Sequence, residues 1–183
     1  MSINEIAENI IPKLTKQARR FDVGVLVIMV GLPYSGKSTI AESLAPSGFV
    51  HFWATIIRKE CNLSDDEMVQ VAVIVITKLL RNGHRIAFDF INHTEIVRSK
   101  FIRIANNMNV DWKIVYVDTD IDELHRRRRE VSINGASIGR SDLPIGVIER
   151  IASEMQEPEN NDDVIRVKDG DLSDLEKWIV SLI

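Results

Sequence analysis

The sequence has little of what marks a secreted, membrane-bound or strongly nucleic-acid-binding protein. It holds one cysteine, Cys61, so no disulfide can form within the chain. No apolar run is long enough to span a membrane. Polar residues interrupt the apolar positions at the N-terminus, unlike in a signal peptide. The net charge is −4, which gives no overall basic field for nucleic acid. We therefore expect a globular protein of the reducing cytoplasm.

Short apolar runs alternate with helical patterns along the whole chain. The runs predict strands at 25–30, 49–53, 85–90, 112–117 and 163–168. Helical patterns fill the intervals, which predicts an α/β fold, a three-layer α/β/α sandwich around a mostly parallel sheet. We expect a single domain, 1–183, with a helical appendage at 1–22 that Pro12 kinks or divides. That helix either packs on the core or binds a partner.

A glycine-bearing loop directly after the first predicted strand carries the most specific signal. It fits G-x-x-x-x-G-K-[ST], the phosphate-binding P-loop, and a helical pattern follows it. Its backbone N–H groups would converge on phosphate oxygens, Lys37 would reach the β- and γ-phosphates, and the Ser38 hydroxyl would ligate Mg²⁺. The predicted fold is therefore a P-loop NTPase that uses ATP and Mg²⁺. The candidate nucleotide-binding residues here are Gly31, Tyr34, Ser35, Gly36, Lys37, Ser38 and Thr39.

Asp89 ends the third predicted strand, at the edge of the sheet where the P-loop also lies. A carboxylate at that position holds the Mg²⁺ shell directly or through water, so Asp89 is a candidate metal ligand and catalytic residue. The other interpretation is an aspartate that caps a helix or stands in a turn. Asn92 and His93 follow at once and would face an acceptor, whereas Thr94 caps the next helix.

An arginine run, 126–129, precedes a polar, glycine-bearing stretch. Because successive helical residues point in different directions, one or two of these arginines at most can face phosphates. The pattern predicts a helical lid at about 126–143 that closes over the transferring phosphoryl group. Arg126, Arg129 and Arg140 are the candidates, and Arg129 is also a catalytic candidate.

Taken together, the chain resembles the small P-loop kinases of the polynucleotide-kinase type, often catalogued as AAA-family ATP-binding proteins. The resemblance covers about residues 25–168. Beyond the P-loop it depends on a strand-end D-x-x-N segment at 83–92, Arg98 in the next helix, a lead into the lid at 118–129 and a post-lid helix ending in Glu-Pro at 141–158. The resemblance implies transfer of the ATP γ-phosphate to a hydroxyl with Mg²⁺.

One departure from that family is serious. Its members carry D-x-x-R after the second strand, where the aspartate accepts the hydroxyl proton and the arginine places the acceptor. Arg58 matches the arginine and is a catalytic candidate, but Thr55 stands where the aspartate belongs. Threonine cannot act as a general base at neutral pH. Either another carboxylate does this work, with Asp89 the nearest substitute and Glu60 a weaker one, or the register differs, or the usual route is not used.

Three functions stay open at this point. The first is an ATP-dependent kinase whose acceptor is a nucleic-acid 5′ end, a nucleoside or another small molecule. The alternative is a nucleotide-binding ATPase or switch without kinase activity, which Thr55 favours and the retained Arg58 opposes. The third is a toxin-like or antibiotic-modifying kinase of related layout. The expected partners are ATP and an unidentified hydroxyl acceptor, with no membrane. The sequence does not predict an oligomeric state.

Overall fold

Five strands form a parallel sheet in the computed structural model, which describes residues 1–133 and 146–182. The strands are β1 (Val25–Val30), β2 (Phe49–Trp53), β3 (Arg85–Asp89), β4 (Asp111–Asp118) and β5 (Val164–Lys168). Their order is β2-β3-β1-β4-β5, and each neighbouring pair is parallel. The predicted α/β fold with a parallel sheet is confirmed. Since β1 lies at the centre, its carboxyl end is flanked by those of β3 and β4.

Helices connect these strands and cover both faces of the sheet. In the described part of the chain they are α1 (Ile3–Thr15), α2 (Lys37–Ser43), α3 (Ala54–Glu60), α4 (Asp65–Arg81), α5 (Glu95–Met108), α6 (Ile121–Ile133), α7 (Val147–Glu154) and α8 (Ser173–Ser181). A short 3₁₀ turn, Ala45–Ser47, follows α2. None of the described helices is both long and apolar enough to cross a bilayer.

The side chains of β1 alternate between two separate cores. Leu26, Ile28 and Val30 pack with buried residues of α1, α4 and α5 on one face. Val25, Val27 and Met29 pack with residues of α2 and α8 on the other face. This alternation follows from the two-residue period of a strand, and burial on both faces explains why β1 is a continuous apolar run. The predicted three-layer sandwich is confirmed.

The helix α4 forms although its middle is rich in β-branched residues. Its first turn is fixed by a capping box in which the Ser64 hydroxyl accepts from the Glu67 backbone N–H and the Glu67 carboxylate accepts from the Ser64 N–H. Buried residues on several sides of the helix, including Val71 and Val75, then pack against the sheet and α1. Tertiary packing therefore outweighs the weak helix propensity of these residues.

The N-terminal helix and the lid differ from their predicted bounds. Pro12 was expected to kink or divide the helix, and the division is wrong, because α1 is continuous from Ile3 to Thr15 with Pro12 inside its last turn. Packing of its apolar face on the core and an ion pair between Glu8 and Lys78 of α4 hold it in place. The first part of the predicted lid belongs to α6, and the rest, with Arg140, lies outside the described residues.

Candidate functional site

The loop between β1 and α2 turns tightly against β4. Gly31 has φ 146°, Tyr34 φ 67° and Gly36 φ 103°, conformations that favour glycine. A β-carbon on Gly31 would lie 2.8 Å from the carbonyl oxygen of Val117. The glycine at 31 therefore allows the loop to begin directly on the end of β4, and α2 begins immediately after Gly36.

Lys37, the first residue of α2, folds its side chain back into this loop. Lys37 as a whole is only 8% exposed. Its Nζ donates to the Leu32 carbonyl oxygen at 2.7 Å and lies 3.5 Å from Ser35 Oγ. Burial lowers the pKa of Lys37 to about 8, and the charge of Asp89 opposes that shift. The ammonium group is thus a buried cation inside the turn, where phosphate oxygens can replace its contact with a neutral carbonyl.

Asp89 ends β3 and is itself buried, with 3% of its surface exposed. His51 Nε2 of β2 lies 3.0 Å from Asp89 Oδ2, and the indole of Trp53 stacks on the His51 ring with centroids 5.7 Å apart. Sequence reasoning missed His51. No local pattern in the sequence marks it, because its approach depends on the register of β2 against β3, which pairs Trp53 with Asp89 and so places alternate residues of both strands on one face.

Two further side chains brace the loop from the β4–α6 region. The Thr119 hydroxyl donates to the Ser35 carbonyl oxygen at 3.2 Å. The Arg127 guanidinium donates to the carbonyl oxygens of Tyr34 at 3.2 Å and Ser35 at 2.9 Å, while its Nε donates to Glu123 at 2.7 Å. Arg127 therefore joins α6 to the loop between β1 and α2. The sequence did not indicate this role.

The arginines chosen from the sequence lie elsewhere. Arg126 forms ion pairs with Glu123 and Glu130 of its own helix and is about half exposed. Arg129 is exposed. Arg140 lies outside the described residues. A phosphate role for these three stays a prediction, whereas Arg127 of the same run donates hydrogen bonds to the loop.

A cleft of about 210 Å³ opens beside the loop and brings five of the predicted site residues together. Lys37, Ser38 and Asp89 lie along it with Tyr34 and Arg58. Its other lining residues are Pro33, Trp53, Thr55, Lys59, Asp65, Phe90, Ile91, His93, Val147, Arg150, Ile151 and Glu154. The cleft therefore joins the loop to residues of α3, α4 and α7.

Charged pairs line the part of the cleft that α3, α4 and α7 form. Arg58 Nε lies 3.3 Å from Asp65 Oδ1, which joins α3 to the first turn of α4. Glu154 of α7 lies 3.5 Å from His93 and 3.6 Å from Arg150. Since both signs of charge face the cleft, this side can bind a polar molecule with donors and acceptors of its own.

Asn92 does not face the cleft, in contrast to the expectation from the sequence. It is fully buried, and its Nδ2 donates to the Met29 carbonyl oxygen at 2.8 Å. The Arg98 guanidinium donates to the carbonyl oxygens of Asn92 and His93, both at 3.1 Å. Asn92 thus ties the end of β3 to β1. His93 does line the cleft, and Thr94 caps α5 as expected.

The oxygen donors at the cleft fit a hard divalent cation. Ser38 supplies a hydroxyl and Asp89 a carboxylate, both on the same cleft. The described residues contain no group of three or more His, Cys, Asp and Glu side chains that could hold a metal by themselves. Mg²⁺ is suited to this arrangement, because it binds through one or two protein oxygens and completes its shell with phosphate oxygens and water.

Several solved structures share this fold. The Mycobacterium tuberculosis APS kinase CysC, solved with AMPPNP and APS, is 21% identical with a TM-score of 0.60, covering 87% of this chain and 97% of that chain. Chaetomium thermophilum Kti12, solved with ADP-AlF3, is 15% identical with a TM-score of 0.66, covering 86% and 96%. A gluconokinase from Sinorhizobium meliloti 1021 is 16% identical with a TM-score of 0.60, covering 89% and 92%. At these identities the likeness shows the fold.

Sequence comparison adds the family. No curated protein matches this chain in sequence. Residues 26–158, from β1 to the segment after α7, match a family described as AAA domain. Because that match covers well over half of the 183 residues, this chain belongs to the AAA domain family.

Proposed function

We propose that this protein is an ATP-dependent kinase that transfers the γ-phosphate of ATP to a hydroxyl group. The observation that carries the proposal is the shared cleft, in which the loop lysine Lys37 and the buried Asp89 lie with Arg58. A protein that only binds nucleotide does not need the charged side chains of α3, α4 and α7 that line the cleft beside the phosphate site. The kinases among the solved structures of the same fold support this choice.

Catalysis would consist mainly of positioning and charge stabilisation, as in other phosphoryl transfers. The loop backbone and Lys37 would hold the β- and γ-phosphates, with Ser38 and Asp89 holding Mg²⁺. When bound, Mg²⁺ neutralises charge on the β- and γ-oxygens. Arg58 would place the acceptor. Arg126, Arg129 and Arg140 are proposed lid arginines.

The acceptor we propose first is the 5′-hydroxyl of a nucleic-acid end, as the resemblance to kinases of the polynucleotide-kinase type implies. A nucleoside or another small hydroxyl compound is the second choice. The net charge of −4 disfavours tight binding along a duplex, which normally needs a basic stripe. A single end held in the cleft has no such requirement.

The test is transfer from γ-labelled ATP with Mg²⁺ to 5′-hydroxyl RNA and DNA oligonucleotides, nucleosides and a control without acceptor. Label should appear on one acceptor class, and Lys37→Ala should reduce transfer at least about 100-fold because the γ-phosphate loses its cation. Lys177→Ala, at an exposed lysine of α8, is the matched control and should transfer normally.

Two results would contradict the proposal. Transfer that is unchanged in Lys37→Ala would show that the loop is not the phosphate site. Label released only as free phosphate, with none on any acceptor, would favour an ATPase or a nucleotide switch.

A further inference from the structure

The proposed reaction lacks a proton acceptor at the position where related kinases carry it. Thr55 lines the cleft there, and a threonine hydroxyl cannot take a proton at neutral pH. We propose that Asp65, in the first turn of α4, is the catalytic residue that accepts the proton of the acceptor hydroxyl. This inference rests on the proposed kinase function and names a residue that the family motif does not include.

The geometry places Asp65 beside the residue that would position the acceptor. Asp65 lines the same cleft as Lys37, and its Oδ1 lies 3.3 Å from Arg58 Nε. In the family that this chain resembles, the D-x-x-R motif supplies a carboxylate and an arginine three residues apart. Here the arginine lies on α3, and the paired carboxylate comes from the next helix.

The chain folds so that this pairing is fixed. The Leu63 N–H donates to the Arg58 carbonyl oxygen at 2.9 Å, and Asn62 takes φ 50°, so the α3–α4 connection turns back towards Arg58. The capping box between Ser64 and Glu67 then sets where α4 begins. Asp65 is the first residue of that helix, and its orientation follows from both features.

The other carboxylates near the cleft have different surroundings. Asp89 is buried against His51 and lies near the ammonium group of Lys37, which suits a metal ligand. Glu154 lies between His93 and Arg150. Glu60, the weaker substitute considered from the sequence, is exposed and does not line the cleft. The Asp65 side chain is 70% exposed, so a molecule entering the cleft can reach it.

The step balances as an in-line transfer. The acceptor oxygen forms a bond to the γ-phosphorus while its proton passes to the Asp65 carboxylate. The bond from the γ-phosphorus to the β–γ bridging oxygen breaks, and ADP leaves with that electron pair. Asp65 then releases the proton to solvent. When no hydroxyl compound is bound, a water molecule in the same place reacts by the same route and yields inorganic phosphate.

A matched pair of substitutions separates this role from a general charge effect. Asp65→Asn and Asp66→Asn each remove one negative charge from the first turn of α4, and Asp66 does not line the cleft. We expect Asp65→Asn to lower kcat for transfer from γ-labelled ATP to a 5′-hydroxyl RNA oligonucleotide or adenosine by about 100-fold or more. Asp66→Asn should stay within about twofold, and the Kd for MgATP should be unchanged in both variants.

A relocation experiment excludes a merely structural role. Adding Thr55→Asp to Asp65→Asn moves the carboxylate from α4 to α3, at another position that lines the cleft. We expect the kcat of this double variant to be at least about tenfold higher than that of Asp65→Asn, because a general base can act from either α3 or α4. A residue needed only for folding would not be replaced by an aspartate on another helix.

The outcomes distinguish this inference from the proposed function. Wild-type kcat in Asp65→Asn, or an equal loss in Asp66→Asn, would overturn the role of Asp65. If the wild type labels neither the oligonucleotide nor adenosine, the kinase proposal fails for these probes, and phosphate release to water becomes the readout. Release about tenfold slower in Asp65→Asn would then support Asp65, and unchanged release would overturn it. A wild type without either turnover would overturn both proposals.

Discussion

At the scale of single residues, Arg127 and Arg126 are adjacent in sequence but have opposite surroundings. Arg127 donates to two carbonyl oxygens of the loop, whereas Arg126 pairs with glutamates on its own helix. Hydrogen bonds from a charged donor contribute about 1.5–3 kcal/mol. We expect Arg127→Ala to weaken MgATP binding about tenfold or more, because the loop loses two of its supports.

Lys177→Ala, at an exposed lysine of α8, is the control for that substitution and should bind MgATP with an affinity within about twofold of the wild type, since exposed ion pairs contribute little. Isothermal titration with a non-hydrolysable ATP analogue measures both variants. Equal weakening in the two variants would show that the loss does not come from the contacts of Arg127 with the loop.

The residues of the loop could be predicted from the sequence because one local pattern specifies strand, glycine turn and helix start together. The supports of the loop could not. His51 approaches Asp89 only because β2 pairs with β3 in one particular register. Arg127 could not be chosen from four successive arginines, since the phase of α6 relative to the loop depends on packing that no local pattern contains.

At the scale of elements, α6 holds Arg127 in place through Glu123. Hydrogen bonds from Arg126 and Arg127 lower the pKa of Glu123 to about 2 from its ordinary 4.5. Because the folded-state pKa is the lower one, the stabilisation is present above about pH 4.5 and is lost as the pH falls towards 2. Glu123→Gln lacks this titrating carboxylate. The variant should therefore lose less free energy of unfolding than the wild type as the pH falls from 4.5 towards 2.

Urea unfolding of the wild type and Glu123→Gln, followed by circular dichroism over that pH range, measures the effect. The difference in the free energy of unfolding between the two proteins should shrink as the pH falls. A difference that stays constant from pH 4.5 down would contradict the assigned role of the carboxylate.

The packing of α1 on the core gives a second test at this scale. Ile10 of α1 is 5% exposed within the core that includes α4. Ile10→Ala should lower the free energy of unfolding by about 2–5 kcal/mol, because it leaves a cavity. Ile96→Ala, at a residue that is 71% exposed, is the control and should change it by less than about 0.5 kcal/mol. Thermal unfolding measures both variants. Similar losses of unfolding free energy in the two would indicate that α1 does not pack on the core.

Element positions were largely predictable, and the exceptions have physical causes. The strands β1 and β2 have the predicted bounds, because a glycine or a helix start marks where each of these mainly apolar runs ends. Pro12 was expected to kink or divide α1, and it does not divide it. A proline in the last turn removes a hydrogen bond near the helix end, where little helix remains to be lost, and packing on α4 maintains the rest.

At the scale of the whole molecule, nucleotide binding should stabilise the fold. The loop contacts residues of β4 and α6, and the cleft is lined by α3, α4 and α7. At a free MgATP concentration of 100 times Kd, the linkage effect is about 2.7 kcal/mol. For a chain of this size that corresponds to a rise in Tm of roughly 5–10 °C.

Differential scanning calorimetry with and without MgATP measures this shift. Lys37→Ala, studied at the same ligand concentration, should show almost none of it. A rise in Tm that is equal in both proteins would place the stabilising nucleotide somewhere other than the loop.

The parallel sheet also determines when this site can exist during synthesis. Both neighbours of β1 come much later in the chain, since Val25–Val30 pairs with segments that begin at Arg85 and Asp111. The loop that begins at Gly31 also lies directly against the Val117 carbonyl oxygen at the end of β4. A nascent chain therefore carries a wholly apolar strand with at least one unpaired edge until the ribosome has delivered β4, and such late, long-range pairings are slow and prone to aggregation. Newly made chains should depend on chaperones during that interval more than a chain with local hairpins would.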